Sequence, residues 1–144
     1  VDLFSAHVVT AILLAGVVPW SVQTFGGDGG DVFLRFAWGG VSFEPTLTVR
    51  LLWQYPLFAG PPVLIQWATA AGCWLLALGS AATGWLDAED PRLTAGLLAL
   101  AGFVNLLVTL DFSVQPTRTG YPVGTLAVWL VAAWRYWVHT RQSR

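Results

Sequence analysis

His7 and His139 are the only histidines in the chain of 144 residues, and each sits at the edge of an apolar run. Two histidines from different helices can hold a b-type haem through their ring nitrogens, so this pair is the one cofactor site that residue type suggests. No haem is expected, because only Arg135 and Arg141 stand near enough in sequence to meet its propionates. Two other ionisable groups, Asp111 and Arg135, lie inside apolar runs but close to their ends, where a long side chain can carry its charge out to water. A proton or ion path needs acidic groups deep in the membrane, and the apolar runs offer none there. Gln66 and Asn105 are uncharged and suit hydrogen bonds between helices. The lone cysteine, Cys73, excludes an internal disulfide and any metal site built from several cysteines. With no nucleophile–base pair, phosphate loop or metal-ligand spacing in view, the chain reads as a non-enzymatic protein with no catalytic residue, no metal and no cofactor.

Composition says what must position these residues. The chain is 56% hydrophobic and 10% charged, with a mean hydropathy of +0.63. A soluble domain is about a quarter charged, so these charges are too few to cover a surface facing water. The apolar residues gather in blocks of about 20, the length that crosses a hydrocarbon core of ~30 Å. A lipid bilayer is the expected surrounding, and the cell membrane the expected location. The net charge of −1 leaves no basic stripe to neutralise phosphates, which argues against nucleic acid as a partner.

The seven basic residues are all arginines, and methionine is absent. In this Ala-, Gly- and Val-rich usage the chain resembles small, uncharacterised multi-span membrane proteins of haloarchaea, a likeness of composition that no motif carries. The stretch "GPPVLIQWATAAGCW" is faintly similar to a span of the tryptophan-rich sensory proteins. That family has five spans and this chain has room for four, so the match is rejected.

The expected fold is an all-α membrane protein, a single domain of four transmembrane helices with an extramembrane β-hairpin between the first and second. The spans are placed at 4–23, 62–86, 91–112 and 122–139, and the hairpin loop at 24–60. Pro61 and Pro62 suit a helix start, and Asp90–Pro91 reads as an N-cap followed by proline at the first helical position. Four spans put both termini on one side with Arg92, Arg135, Arg141 and Arg144, against Arg35, Arg50 and Arg118 on the other. The arginines clustered beside the last span place the termini in the cytoplasm and the hairpin outside. "WSVQTFGG" with "FSVQPTRTG", and "QYPLFAG" with "GYPVGTL", suggest a duplicated helical hairpin, although matches this short also arise by chance.

Within "DVFLRFAWGGVSFEPTLTV" the residues alternate with period two, as a half-buried ribbon requires. A turn at Gly39–Gly40 pairs Trp38 with Val41, Phe36 with Phe43, Leu34 with Pro45 and Arg35 with Glu44. The apolar face made by Val32, Leu34, Phe36, Trp38, Val41 and Phe43 then needs a cover. The chain's own helices are one candidate, and a partner membrane protein or a second copy is another; headgroups are the third. The expected function is that of an accessory or structural subunit packed against a larger membrane complex. The alternative is a binder or carrier of a lipophilic molecule such as a quinone, lipid or carotenoid, held near Trp67, Trp74, Phe103 and Trp129.

Overall fold

A computed structural model describes residues 3–25, 32–43, 46–55, 59, 62–86, 88–113 and 118–142. It contains four helices, α1 (Leu3–Val17), α2 (Pro62–Ala82), α3 (Pro91–Ser113) and α4 (Val123–Gln142). It also contains five strands, β1 (Ser21–Phe25), β2 (Val32–Arg35), β3 (Gly39–Ser42), β4 (Thr48–Leu51) and β5 (Arg118–Tyr121). The strands form one antiparallel sheet in the order β4-β3-β2-β1-β5. The fold is therefore mixed helix and sheet, which overturns the expected all-α four-span bundle with a lone hairpin. Two helical segments, Leu64–Leu86 and Pro91–Asp111, are long and apolar enough to cross a membrane.

The first expected span fails for a local reason. Its helix has 15 residues, about 22 Å at 1.5 Å per residue, and stops two residues before Pro19. The apolar stretch beyond it becomes β1, where Ser21 and Gln23 are buried and Val22 between them is only half-buried. This is strand alternation, and the run of apolar letters concealed it. The remaining helix starts match the sequence. Asp90 accepts a bond from the backbone N–H of Arg92 at 3.0 Å, as an N-cap does, and α3 begins at Pro91.

The sheet caps the end of the molecule where α1 and α3 finish and α2 and α4 begin, packed on α3 and α4. The core beneath it runs between the helices through Val8, Ile12, Trp74, Ala77, Leu98, Ala101 and Val128. On α3 the buried residues Thr94, Leu98, Ala101, Asn105 and Val108 recur at three and four residues, one face of a helix. The opposite faces stay apolar as well: Leu13 and Leu14, Leu75 and Leu76, Leu100 and Leu107, Leu126 and Leu130 are all exposed.

The hairpin differs from expectation in turn, register and facing. The chain turns at Ala37–Trp38, closed by the Phe36 N–H on the Gly39 carbonyl at 2.7 Å. Leu34 pairs with Val41 and Arg35 with Gly40. Gly39 and Gly40 belong to β3, where close packing requires them: a Cβ on Gly39 would lie 2.3 Å from the carbonyl oxygen of Arg50, and one on Gly40 2.3 Å from the Phe33 ring. Within the strands, Val32, Leu34 and Val41 still share one side, because the register moves by an even number of residues. That side, however, faces away from the helices, and Arg35 points in. The expected partner of Arg35, Glu44, lies outside the described residues, as does Pro45.

The candidate functional site: a buried arginine, an ion-paired turn and an apolar groove

Three polar or concave features stand out, and each is set by a different pair of elements. The first is Arg35. Its neighbours across the sheet are Ser21 on β1 and Gly40 on β3, and its side chain passes beneath the sheet toward α3. It is 2% exposed. Nη2 donates to Asn105 Oδ1 and to Thr109 Oγ1, and the guanidinium lies 5.7 Å from the centre of the Trp67 ring. Nε and Nη1 have no acceptor, and no carboxylate reaches the group among the described residues. Burial pulls its pKa down to about 9, so it remains charged at neutral pH. An isolated buried charge is costly, and here its compensation comes from amide, hydroxyl and ring.

Asn105 is the hub of this layer. Its Nδ2 donates to the Trp20 carbonyl at 2.9 Å and to Thr125 Oγ1 at 3.0 Å, joining the residue before β1 to α3 and α4. Trp20, within the first expected span, is buried in the core against Trp74 edge-on, with its indole N–H on the Ala15 carbonyl. Trp53, Trp85 and Trp137 are exposed.

The second feature closes the other end of the molecule. Arg135 Nε bonds Glu89 Oε1 at 2.8 Å with both side chains almost fully buried. Thr94 Oγ1 donates to the same Glu89 oxygen and lies 2.7 Å from Ser80 Oγ. Arg135 therefore does not reach out to the interface as expected. It ties α4 to the turn between α2 and α3.

The third feature is an open groove of about 540 Å³ along α3 and α4, lined by Ala95, Gly96 and Ala99 with Ala132 and Ala133, and flanked by Arg92, Trp129 and Tyr136. Small side chains on both helices make the depression. The Trp129 indole N–H bonds the Ala99 carbonyl at 3.0 Å and holds that ring across it. Gly102 permits this, since a Cβ there would lie 2.4 Å from Trp129 Nε1.

The four aromatic residues expected to hold a lipophile are dispersed. Trp129 lines the groove, whereas Trp67 and Trp74 are buried with their indole N–H groups on the carbonyls of Phe36 and Ile12. Phe103 is exposed elsewhere on α3. His7 is exposed on α1, and His139 is half-buried near the Tyr136 ring. No group of three metal-ligating side chains occurs among the described residues. The sequence did hold one signal for the groove: Ala95 and Ala99 are four apart, the small-xxx-small spacing that lets helices approach.

Sheet, helices and site define a class: a small mixed α/β protein with two helices of membrane-spanning length, a five-stranded antiparallel sheet and no visible catalytic constellation among the described residues. The chain belongs to the family described as Domain of unknown function (DUF8050), whose model matches residues 4–144. No curated protein matches it.

Proposed function

We propose that this is a non-enzymatic, multi-pass protein of the cell membrane that holds its sheet outside the bilayer for a partner membrane protein or a second copy. Its termini lie on the cytoplasmic side. The observation that supports this reading is a stripe across all five strands: Tyr121, Val22, Leu34, Val41 and Val49 are paired neighbours on the face turned from the helices. Val49 and Tyr121 are 54% and 53% exposed. Phe43 adds to that face, and Trp38 at the hairpin tip stacks on Phe36 at 4.9 Å. Because the helices cover the opposite face, a partner or the lipid surface is left to cover this one. Apolar patches of this kind mark contact surfaces.

The test is extraction in mild detergent or nanodiscs followed by native mass measurement. A stable assembly is expected. Val49→Asp and Phe43→Asp should dissolve it without lowering the melting temperature of the released chain, because both positions are exposed. A monomer under several mild conditions overturns the reading. The groove on α3 and α4 favours a second reading, that the protein holds a lipophilic molecule between these helices.

A further inference from the structure

We propose that the groove between α3 and α4 seats one acyl chain of an anionic membrane phospholipid, with the phosphate at Arg92. This inference deepens the lipophile reading and rests on the membrane placement proposed above. The floor offers only Ala95, Gly96, Ala99, Ala132 and Ala133, so nothing there hydrogen-bonds a polar ligand. Its volume lies within the ~300–1,000 Å³ range of small-molecule sites. From Arg92 to Ala99 the groove follows α3 for about 10 Å, with Trp129 beside it at the deeper end. At the other end the residues change character. Arg92 stands at the second position of α3, the helix with the stronger claim to a span, and Tyr136 flanks it. Arginine and tyrosine at a helix end suit the headgroup level.

Among the described residues, the two carboxylates near Arg92 in sequence both have partners. Glu89 is ion-paired with Arg135, and Asp90 accepts the backbone N–H of Arg92. Arg92 is exposed, which leaves its guanidinium accessible to a phosphate from outside the protein. An apolar floor with one cation at its mouth matches an amphiphile whose head is anionic.

The test uses the full chain in detergent with phosphatidylglycerol or phosphatidylcholine of identical acyl chains, counting retained lipid by native mass spectrometry. Wild type should retain one phosphatidylglycerol about fivefold better than phosphatidylcholine, the factor that roughly 1 kcal/mol per arginine at an anionic surface gives. Arg92→Gln should erase the preference and leave chain binding. A Cβ on Gly96 meets nothing within 4 Å, so Gly96→Leu fills the groove without disturbing the core and should abolish retention of both lipids. Equal retention by wild type and Gly96→Leu overturns the groove as the site, and a preference unchanged in Arg92→Gln overturns the headgroup assignment. A chain that stays dispersed and folded without any detergent instead overturns the membrane placement, which separates the two failures.

Discussion

Arg35 on β2 donates its Nη2 bond to Asn105 on α3, 70 residues further along the chain. The bond joins the sheet to the helices and puts a cation where no carboxylate among the described residues meets it. Asn105 is the acceptor that makes this burial tolerable, so the two residues should respond unequally to replacement. Asn105→Leu leaves the guanidinium buried without its best partner and should cost about 1.5–3 kcal/mol, as loss of a hydrogen bond to a charged group does. The other groups on Asn105 keep partners of their own, since the Trp20 carbonyl accepts from Gly124 N–H and Thr125 Oγ1 donates to the Gly102 carbonyl. Arg35→Met removes the charge and fills similar space, and should cost far less or stabilise. Melting of both variants in one detergent decides the order. A larger loss in Arg35→Met would mean that the charge itself is favourable there.

The same burial predicts a dependence on alkaline pH. Burial holds the Arg35 pKa at about 9 in the fold, well below that of an ordinary guanidinium. Between these values the unfolded chain binds more protons than the folded one, so this group makes stability rise with pH. Its penalty is present in full below pH 9 and fades above it. Tyr55 works in the opposite sense: burial raises its phenol pKa above 10.0, with Arg50 pulling it back, so its contribution falls with pH once the unfolded phenol ionises. The clean window is pH 9–10. There the melting temperature of wild type should climb relative to Arg35→Met, and parallel curves would refute the assignment.

Much of this arrangement was legible, and the failures have physical causes. Pro62 and the Asp90–Pro91 pair located the starts of α2 and α3, because capping and proline chemistry act within a few residues. The alternation in Val32–Phe43 correctly grouped the residues of each strand face. Alternation gives parity but no sign: which face turns inward depends on what waits there, and Asn105 and Thr109 lie on a helix far along the chain. Arg35 therefore read as half of a surface ion pair. Gly39–Gly40 read as a turn because glycine favours positive φ, although here the absence of a Cβ is needed for strand contact. The first SVQ copy lies in β1, whereas the second begins at Ser113 at the end of α3 and continues into residues 114–117, outside the described residues. Tryptophans were the expected lining of a lipophile site, whereas alanines and a glycine shape the groove.

Two glycines should respond oppositely to alanine. A Cβ on Gly124 would lie 2.4 Å from Trp20 Cα, a backbone atom fixed by the Gly124 N–H bond to the Trp20 carbonyl at 2.9 Å. Gly124→Ala must push α4 away from the start of β1 and should cost about 1–3 kcal/mol, the usual penalty of overpacking. Gly96→Ala meets open space and removes a helix-weakening glycine, for a gain of roughly 0.5–1 kcal/mol. Thermal melts of the two variants beside wild type test the pair. A neutral Gly124→Ala would show that the contact between α4 and β1 yields easily.

The last prediction concerns placement across the membrane. Val49 on β4 precedes α2, and Ala88 follows the 3₁₀ turn Thr83–Leu86 that ends it. The segment between them, Leu64–Leu86, is long and apolar enough to cross a membrane, about 35 Å if helical throughout against a core of ~30 Å. If it crosses, Val49 and Ala88 stand on opposite sides. Both positions are exposed, so cysteines placed there should not disturb the fold, and Cys73→Ser removes the background thiol. In sealed cells carrying Phe43→Asp, which frees the sheet face from its partner, an impermeant maleimide should label Val49→Cys from outside. Ala88→Cys should label only after the membrane is opened, as cytoplasmic termini require. Labelling of Ala88→Cys alone in sealed cells would keep the crossing and invert the orientation. Labelling of both in sealed cells would remove the crossing itself, and the partner-facing role of the sheet outside the membrane would fall with it.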